Sequence, residues 1–273
     1  MIARPTQFGF SLVELSIVLV ILGLLTGGIL GGQALIRAAE LRAVPTEHAR
    51  WMTATQTFRD KYFALPGDMT NATRFWGRAA SATDCVTNSG GAVTSPSAGT
   101  CDGNGNGAIE RAIAPGLFGE NFLFWQHLAR AALVEGTFSG QTGPGSGFDA
   151  IFGINVPRSR LQSAGWTVHT HHVTVHPGGT TIYTYVYGNM LLFGAPTSNT
   201  VPRSPILRPD EAWNIDVKID DGRPAYGKIL AVNGSAWGSA DSCTTSASES
   251  DYNGAYRLDN NAISCSFIFP NIF

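Results

Sequence analysis

The feature that most constrains this chain is an apolar run near its start. From Phe10 to Ile36 the sequence passes almost unbroken through Leu, Val, Ile, Gly and Ala, its polar members being Ser11, Glu14, Ser16, Thr26 and Gln33. A helix rises ~1.5 Å per residue and about 20 apolar residues cross a bilayer core, so this run is long enough to span one. The segment before it, Met1 to Gly9, is short and polar, with Arg4 its only charged side chain. A lone cation on the short side is a weak positive-inside signal that places the bulk of the chain outside the cytoplasm. A secretory signal or a plain anchor is the simplest account of such a run. Two details oppose it. Glu14 sits inside the run, where a carboxylate at bilayer depth costs roughly 2.5–3.5 kcal/mol, and a plain anchor gains nothing from it. A signal peptide also needs a small-residue cleavage trio after its apolar stretch, and Gly27–Gln33 offers only a poor one.

The helical register continues past the apolar run. Leu41, Val44, His48, Trp51, Thr55, Phe58 and Tyr62 recur at alternating three- and four-residue steps. Arg37, Glu40, Arg42, Glu47, Arg50 and Arg59 largely occupy the other faces. This pattern predicts one long helix from about Ser11 to Tyr62, its second half packed on a globular part and kinked at Pro45. Glycines 23, 27, 28, 31 and 32 weaken the membrane half but permit close helix approach in lipid.

Beyond Tyr62, Pro66-Gly67 stops the periodicity with a turn. The stretch from Ser81 to Gly107 is rich in Gly, Ser, Thr and Asn and reads as a long loop. Phe118, Phe122, Trp125, Leu128, Ala129 and Ala132 line one face, predicting a helix over Glu120–Val134. Trp166–Val175 and Thr181–Phe193 read as strands joined by a turn at Pro177-Gly178-Gly179. Glu211–Ile219 reads as a helix running into a turn at Asp221-Gly222.

Charged residues are only 14% of the 273, which suits an exported, loop-rich protein better than a cytosolic enzyme. The net charge of −2 comes with no basic run, so no nucleic-acid partner is expected. Cys85, Cys101, Cys243 and Cys265 form two sequence-local pairs, none with CxxC spacing. From the three possible connectivities we take disulfides Cys85–Cys101 and Cys243–Cys265, in an oxidising compartment. Four buried free thiols are the alternative.

Three clusters invite a chemical reading. Asp102-Gly103-Asn104-Gly105-Asn106-Gly107 places oxygens at alternate positions before a glycine, as in the first half of a calcium loop. The twelfth position, where a bidentate carboxylate belongs, is Ile113, so Glu110 would have to serve through a water. The alternative is an ordinary Asn-Gly turn, and calcium is the one cofactor this sequence points to. His169, His171, His172 and His176 cluster as well, with His169 and His171 on one strand face, but no acid or cysteine at short spacing completes a metal site. Asp216, Asp220 and Asp221 stand beside Asp-Gly and Arg-Pro dipeptides and read as turn chemistry. With no nucleophile elbow, phosphate loop or HExxH, an enzyme is not expected.

Gly9-Phe10-Ser11-Leu12-Val13-Glu14-Leu15 resembles the processing site of type IV prepilins and type II secretion pseudopilins. The resemblance implies cleavage by a prepilin peptidase between Gly9 and Phe10, and N-methylation of Phe10. It also implies that Glu14 pairs with the terminal amine of a neighbouring subunit during assembly. A carboxylate held among apolar groups needs such a cation, and pairing neutralises both charges. Ala64-Leu65-Pro66-Gly67-Asp68, Asn71–Gly77, Trp125-Gln126-His127-Leu128 and Ala212–Pro224 are similar to further segments in a subset of that family.

The fold implied is α+β and pilin-like, a long N-terminal helix packed on an antiparallel β-sheet with disulfide-stapled loops. Residues 1–9 would be a leader, 10–36 the membrane and filament-core helix, 37–63 its amphipathic continuation and 64–273 the globular domain. The implied partners are the prepilin peptidase, other pilin or pseudopilin subunits and an inner-membrane assembly platform. The globular domain would face the periplasm before delivery to a filament or the cell surface. The expectation is therefore a structural subunit of a type IV pilus or type II secretion filament, a minor one given the long mature chain. The alternative is a membrane-anchored binding or adhesive domain that does not polymerise.

Overall fold

The computed structural model describes residues 11–79, 99–112, 115–146, 149–171, 182–235 and 237–273. It contains two compact units, Met1–Leu41 and Arg42–Phe273. Helix α1 runs over Leu12–Tyr62, 51 residues, and continues through Pro45. Residues 12–31 are all exposed.

In the larger unit the predicted face of α1 is the buried one, with Val44, Trp51, Ala54, Thr55 and Phe58 all covered. Glu47 departs from the polar-face expectation. Its Oε2 accepts hydrogen bonds from Ser159 Oγ and Trp166 Nε1, both at 2.7 Å, and its Oε1 accepts from the Arg160 N–H at 2.7 Å. Three donors around one carboxylate fasten the helix to the segment that enters the first strand.

That strand, β1 (Gly165–His171), pairs antiparallel with β2 (Gly188–Gly194), which pairs with β4 (Cys265–Phe269), which pairs with β3 (Leu230–Asn233). The sheet order is β1-β2-β4-β3. Register places Trp166 opposite Phe193 and Phe193 opposite Phe267, so one face is an aromatic row, and His48 of α1 stacks 4.3 Å over Phe269. Alternation sends Leu192 and Ile268 to the other face, where they join Met190, Leu230 and Val232 in a separate apolar cluster. Both faces of the central strands are thus covered, and every residue of β4 is buried. The arrangement is the expected α+β, pilin-like one, a long N-terminal helix with an antiparallel four-stranded sheet.

Two short-range expectations are corrected. The second strand begins at Gly188 rather than Thr181. Gly188 has φ +56, and the residues before it are tied elsewhere, the Thr184 N–H donating to Glu249 O at 2.9 Å. Helix α3 covers Glu120–Arg130 and stops short of Val134. It ends in a Schellman turn, with Ala132 at φ +59 and the Leu133 N–H bonded to Leu128 O at 3.0 Å. Alanine stands where glycine usually marks such an end, so the stop left no trace in the sequence. The remaining helices are α2 (Ala72–Trp76) and α4 (Pro209–Ile219), the latter starting on a proline at its first turn. The expected turn at residues 177–179 lies outside the described residues.

Candidate functional site

The start of α1 is built by a reciprocal cap. Ser11 precedes the first helical residue, and its Oγ accepts the Val13 N–H at 3.3 Å. Glu14 reaches back, its Oε2 accepting the Ser11 N–H at 2.8 Å. This Ser-x-x-Glu capping box satisfies two donors that no helical carbonyl can serve, and a carboxylate there also suits the helix dipole. It does not neutralise the charge. The next charged residue along the chain is Arg37, 23 positions on and roughly 34 Å away along a helix. No cation of α1 can therefore reach Glu14, and its counter-charge has to come from outside the helix. Around it the helix shows lipid-like side chains on every side, Leu12, Leu24 and Leu30 being 85, 72 and 67% exposed. By length and apolarity it is able to cross a membrane.

Residues 4–30 match the prokaryotic N-terminal methylation motif. Over those residues the chain is similar to type IV pilin- and pseudopilin-like precursors, and the apolar helix fits a membrane-anchored protein. The motif's family is structural rather than catalytic. No curated protein and no solved structure matches the chain. Gly9 and Phe10, the expected processing pair, fall within the matched residues but outside the described ones.

The second constellation joins the Pro66-Gly67-Asp68 turn to the Asp102–Gly107 loop. Asp68 Oδ1 accepts the N–H groups of Gly105 and Asn106 at 2.6 and 3.1 Å, and Oδ2 that of Gly107 at 2.8 Å. Glu120, at the start of α3, accepts from the N–H groups of Asn104 and Glu110 at 2.9 and 3.0 Å. Five backbone donors of one loop thus converge on two buried carboxylates. Gly67 makes this approach possible. It has φ +86, and a Cβ there would lie 2.4 Å from the Glu120 carbonyl oxygen. Burial pushes the Glu120 carboxyl up to about 7, outweighing its two N–H donors. Asp68 is raised for the same reason against three donors, with the Glu110 charge adding to the effect.

The calcium candidates are also engaged in hydrogen bonds. Asp102 accepts from Thr73, N–H to Oδ1 at 2.8 Å and Oγ1 to Oδ2 at 3.0 Å, and so holds the start of α2. Asn104 Oδ1 accepts the Asn106 N–H at 2.9 Å, and Asn106 Oδ1 the Ala108 N–H at 2.8 Å. Glu110 Oε2 accepts from Asn104 Nδ2 at 2.7 Å. The loop turns five N–H groups toward the Asp68 and Glu120 carboxylates, whereas a cation needs converging oxygens. Sequence reasoning did not find the two organising carboxylates, because Asp68 lies 37 to 39 residues from its donors.

His127 closes the network. Its Nδ1 accepts the Gly67 N–H at 3.0 Å, so the ring proton is on Nε2, 3.0 Å from Thr100 Oγ1, which donates onward to Gln126 Oε1 at 2.6 Å. Complete burial lowers its pKa to about 3, so it is a neutral structural link between turn, loop and helix.

The other sequence candidates separate in the same way. Asp216 accepts from Tyr256 Oη at 2.7 Å and from the Gly222 N–H at 3.2 Å, and burial raises its carboxyl to about 7. The Asp221 carboxylate accepts the Arg223 N–H at 2.9 Å, and the Asp220 carboxylate that of Lys228. The Asp220 and Asp221 bonds are local turn contacts, whereas Asp216 also ties α4 to Tyr256, 40 residues on. His169 is buried, with Nδ1 2.8 Å from Thr170 O. His172 and His176 lie outside the described residues. Cys243 and Cys265 form a disulfide with a Cα–Cα distance of 5.0 Å. Cys101 is also disulfide-bonded, and Cys85 lies outside the described residues.

Proposed function

We propose that this protein is a structural subunit of a type IV pilus or type II secretion filament. The observation that carries the reading is Glu14 within the methylation motif, an acid in an apolar helix whose own cations are out of reach. In this reading the prepilin peptidase removes residues 1–9 between Gly9 and Phe10, and Phe10 is N-methylated. Residues 10–36 then serve as membrane anchor and filament core, 37–63 as the helical bridge and 64–273 as the displayed domain. The new amine of one subunit supplies the charge that the Glu14 carboxylate of its neighbour lacks, which makes correct stagger favourable and other registers costly. An inner-membrane assembly platform and other pilin-like subunits are the partners, and the domain faces the periplasm before assembly.

One observation favours a second reading. The Ser11–Glu14 capping box gives the carboxylate a purpose within a single chain, as a membrane-anchored binding or adhesive domain would need. Replacing Glu14 by Leu and by Gln separates the two. The filament reading predicts that both variants reach the membrane but enter filaments at least tenfold less. Since Gln still accepts the Ser11 N–H, unchanged incorporation of Glu14→Gln would leave only the capping role.

A further inference from the structure

Phe63 occupies a position that its side chain does not suit. It closes α1 with its N–H on Arg59 O at 2.8 Å and sits at φ +55, the left-handed conformation that favours glycine. A bulky residue there costs ~1–2 kcal/mol. Its ring is 94% exposed, so packing among the described residues offsets little of that cost. Next in sequence to Phe63, Tyr62 lies 5.2 Å edge-on from Phe75 of α2, which is 56% exposed. The surrounding side chains are basic. Arg59, Lys61, Arg74 and Arg78 are all exposed against one acid, Asp60, which gives +4 − 1 = +3 over residues 59–63 and 74–78. Two protruding aromatic rings framed by cations make a surface that the described residues leave uncovered.

The opposite chemistry lies on the loop between β3 and β4, residues 234–264. Asp241, Glu249, Asp251 and Asp259 against Arg257 give −4 + 1 = −3 there, and Leu258 and Ile263 are 52 and 58% exposed. The disulfide holds the loop, and the Thr244 N–H anchors it on Asn233 Oδ1 of β3 at 3.0 Å. The aromatic surface belongs to the other side of the sheet. Trp76 packs 5.4 Å from His127 of α3, and α3 contacts β1, whereas β3 is the far edge of the order β1-β2-β4-β3. The two surfaces therefore meet only between different molecules. A contact that joins unlike patches is heterologous, and where its rotation does not close into a ring it builds an open filament.

We propose that Phe63 and Phe75, with Arg59, Lys61, Arg74 and Arg78 around them, dock on the acidic Leu258–Ile263 face of a second copy of this chain. The inference rests on the filament reading and adds the partner and the contact. It also departs from the expectation of a minor subunit, because self-complementary surfaces call for consecutive copies. Steering by the opposite charges orients the approach, and burial of the four apolar side chains holds it.

The test uses the full-length protein in its membrane, with Phe75→Cys and Ile263→Cys, followed by mild oxidation. The double variant gives a ladder of covalent multimers, a mixture of the single variants gives dimers, and neither single variant gives any. Filaments that assemble without a cross-link overturn this contact alone, as does self-linking of Phe75→Cys. An unsubstituted chain that forms no filament overturns the filament reading and this contact with it. Since new thiols can disturb the native disulfides, a charge exchange provides an independent check. Lys61→Glu with Arg74→Glu, or Asp241→Lys with Asp259→Lys, lowers incorporation at least tenfold, and both exchanges on one chain restore it to within about threefold. Loss without restoration, or no loss at all, refutes the contact.

Discussion

The two ends of α1 obey different rules. Between Leu12 and Leu30 the helix is apolar on all sides and exposed throughout, with Leu24 72% and Leu30 67% accessible. Between Val44 and Phe58 it is amphipathic, and those two residues are fully covered. A helix apolar all round is made for lipid or for a bundle of its own kind, whereas a striped one is made for a single packing face. The first stretch owes its partners to other molecules, the second to its own chain. Substitutions in the first should therefore disturb location and assembly while leaving the fold intact, and substitutions in the second should do the reverse.

The largest effect on folding is expected at Gly67. Gly67→Ala puts a Cβ 2.4 Å from a backbone oxygen and forces an L side chain to φ +86. A loss of about 3 kcal/mol should follow, lowering Tm by roughly 6–12 °C in thermal melts, with membrane retention of folded protein unaffected. Leu24→Asp should do the opposite. A carboxylate at the centre of a spanning helix costs roughly 2.5–3.5 kcal/mol, on the order of a hundredfold in membrane partition, while the melting of the larger unit stays unchanged. A Tm shift of several degrees in that variant would show that the exposed helix contributes to the fold, and the comparison would collapse. Glu47→Ala is expected to cost about 2–3 kcal/mol by leaving the Ser159, Arg160 and Trp166 donors without their acceptor. Melts of Glu47→Ala alongside Glu40→Ala measure this directly, since Glu40 makes a long 3.9 Å ion pair with Arg37.

The smallest effect is a pH dependence confined to the larger unit. Glu120 and Asp216 have folded pKa values raised to about 7, so the stability they contribute is full below their unfolded values near 4 and lost as pH rises through 7. His48 and His127 are lowered by burial to about 4 and 3, so their contribution is full above 6.5 and lost as pH falls through those values. Between about 4.5 and 6.5 the two pairs oppose one another and Tm should be nearly flat. From 6.5 to 7.5 only the carboxylates change, and stability should fall by on the order of 1 kcal/mol. Below 4.5 the histidines take over and stability should drop again. Glu120→Gln should flatten the alkaline step in a pH series of melts, and an undiminished step would remove Glu120 from the explanation.

Local sequence carried the parts that depend on local physics. The stripe from Leu41 to Tyr62, the helix over Glu211–Ile219, the strand after Trp166 and the pairing of Cys243 with Cys265 were all legible from period, turn residues and spacing. Ser11-x-x-Glu14 carries a readable capping signal too. What escaped was non-local. β4 inserts between β2 and β3, a partnership set by tertiary packing that no short window records. Asp68 and Glu47 look like ordinary surface acids until chain segments 37 and 119 residues away bring donors to them. Ala132 and Phe63 take backbone conformations usually given to glycine, so the ends they mark could not be read from glycine positions.

The most direct test of the central claim is intact mass and N-terminal sequencing of the protein recovered from membranes. The account predicts a chain that begins at Phe10 and carries one added methyl group on its amine. A chain that retains Met1, or one that begins beyond Gln33, would contradict it.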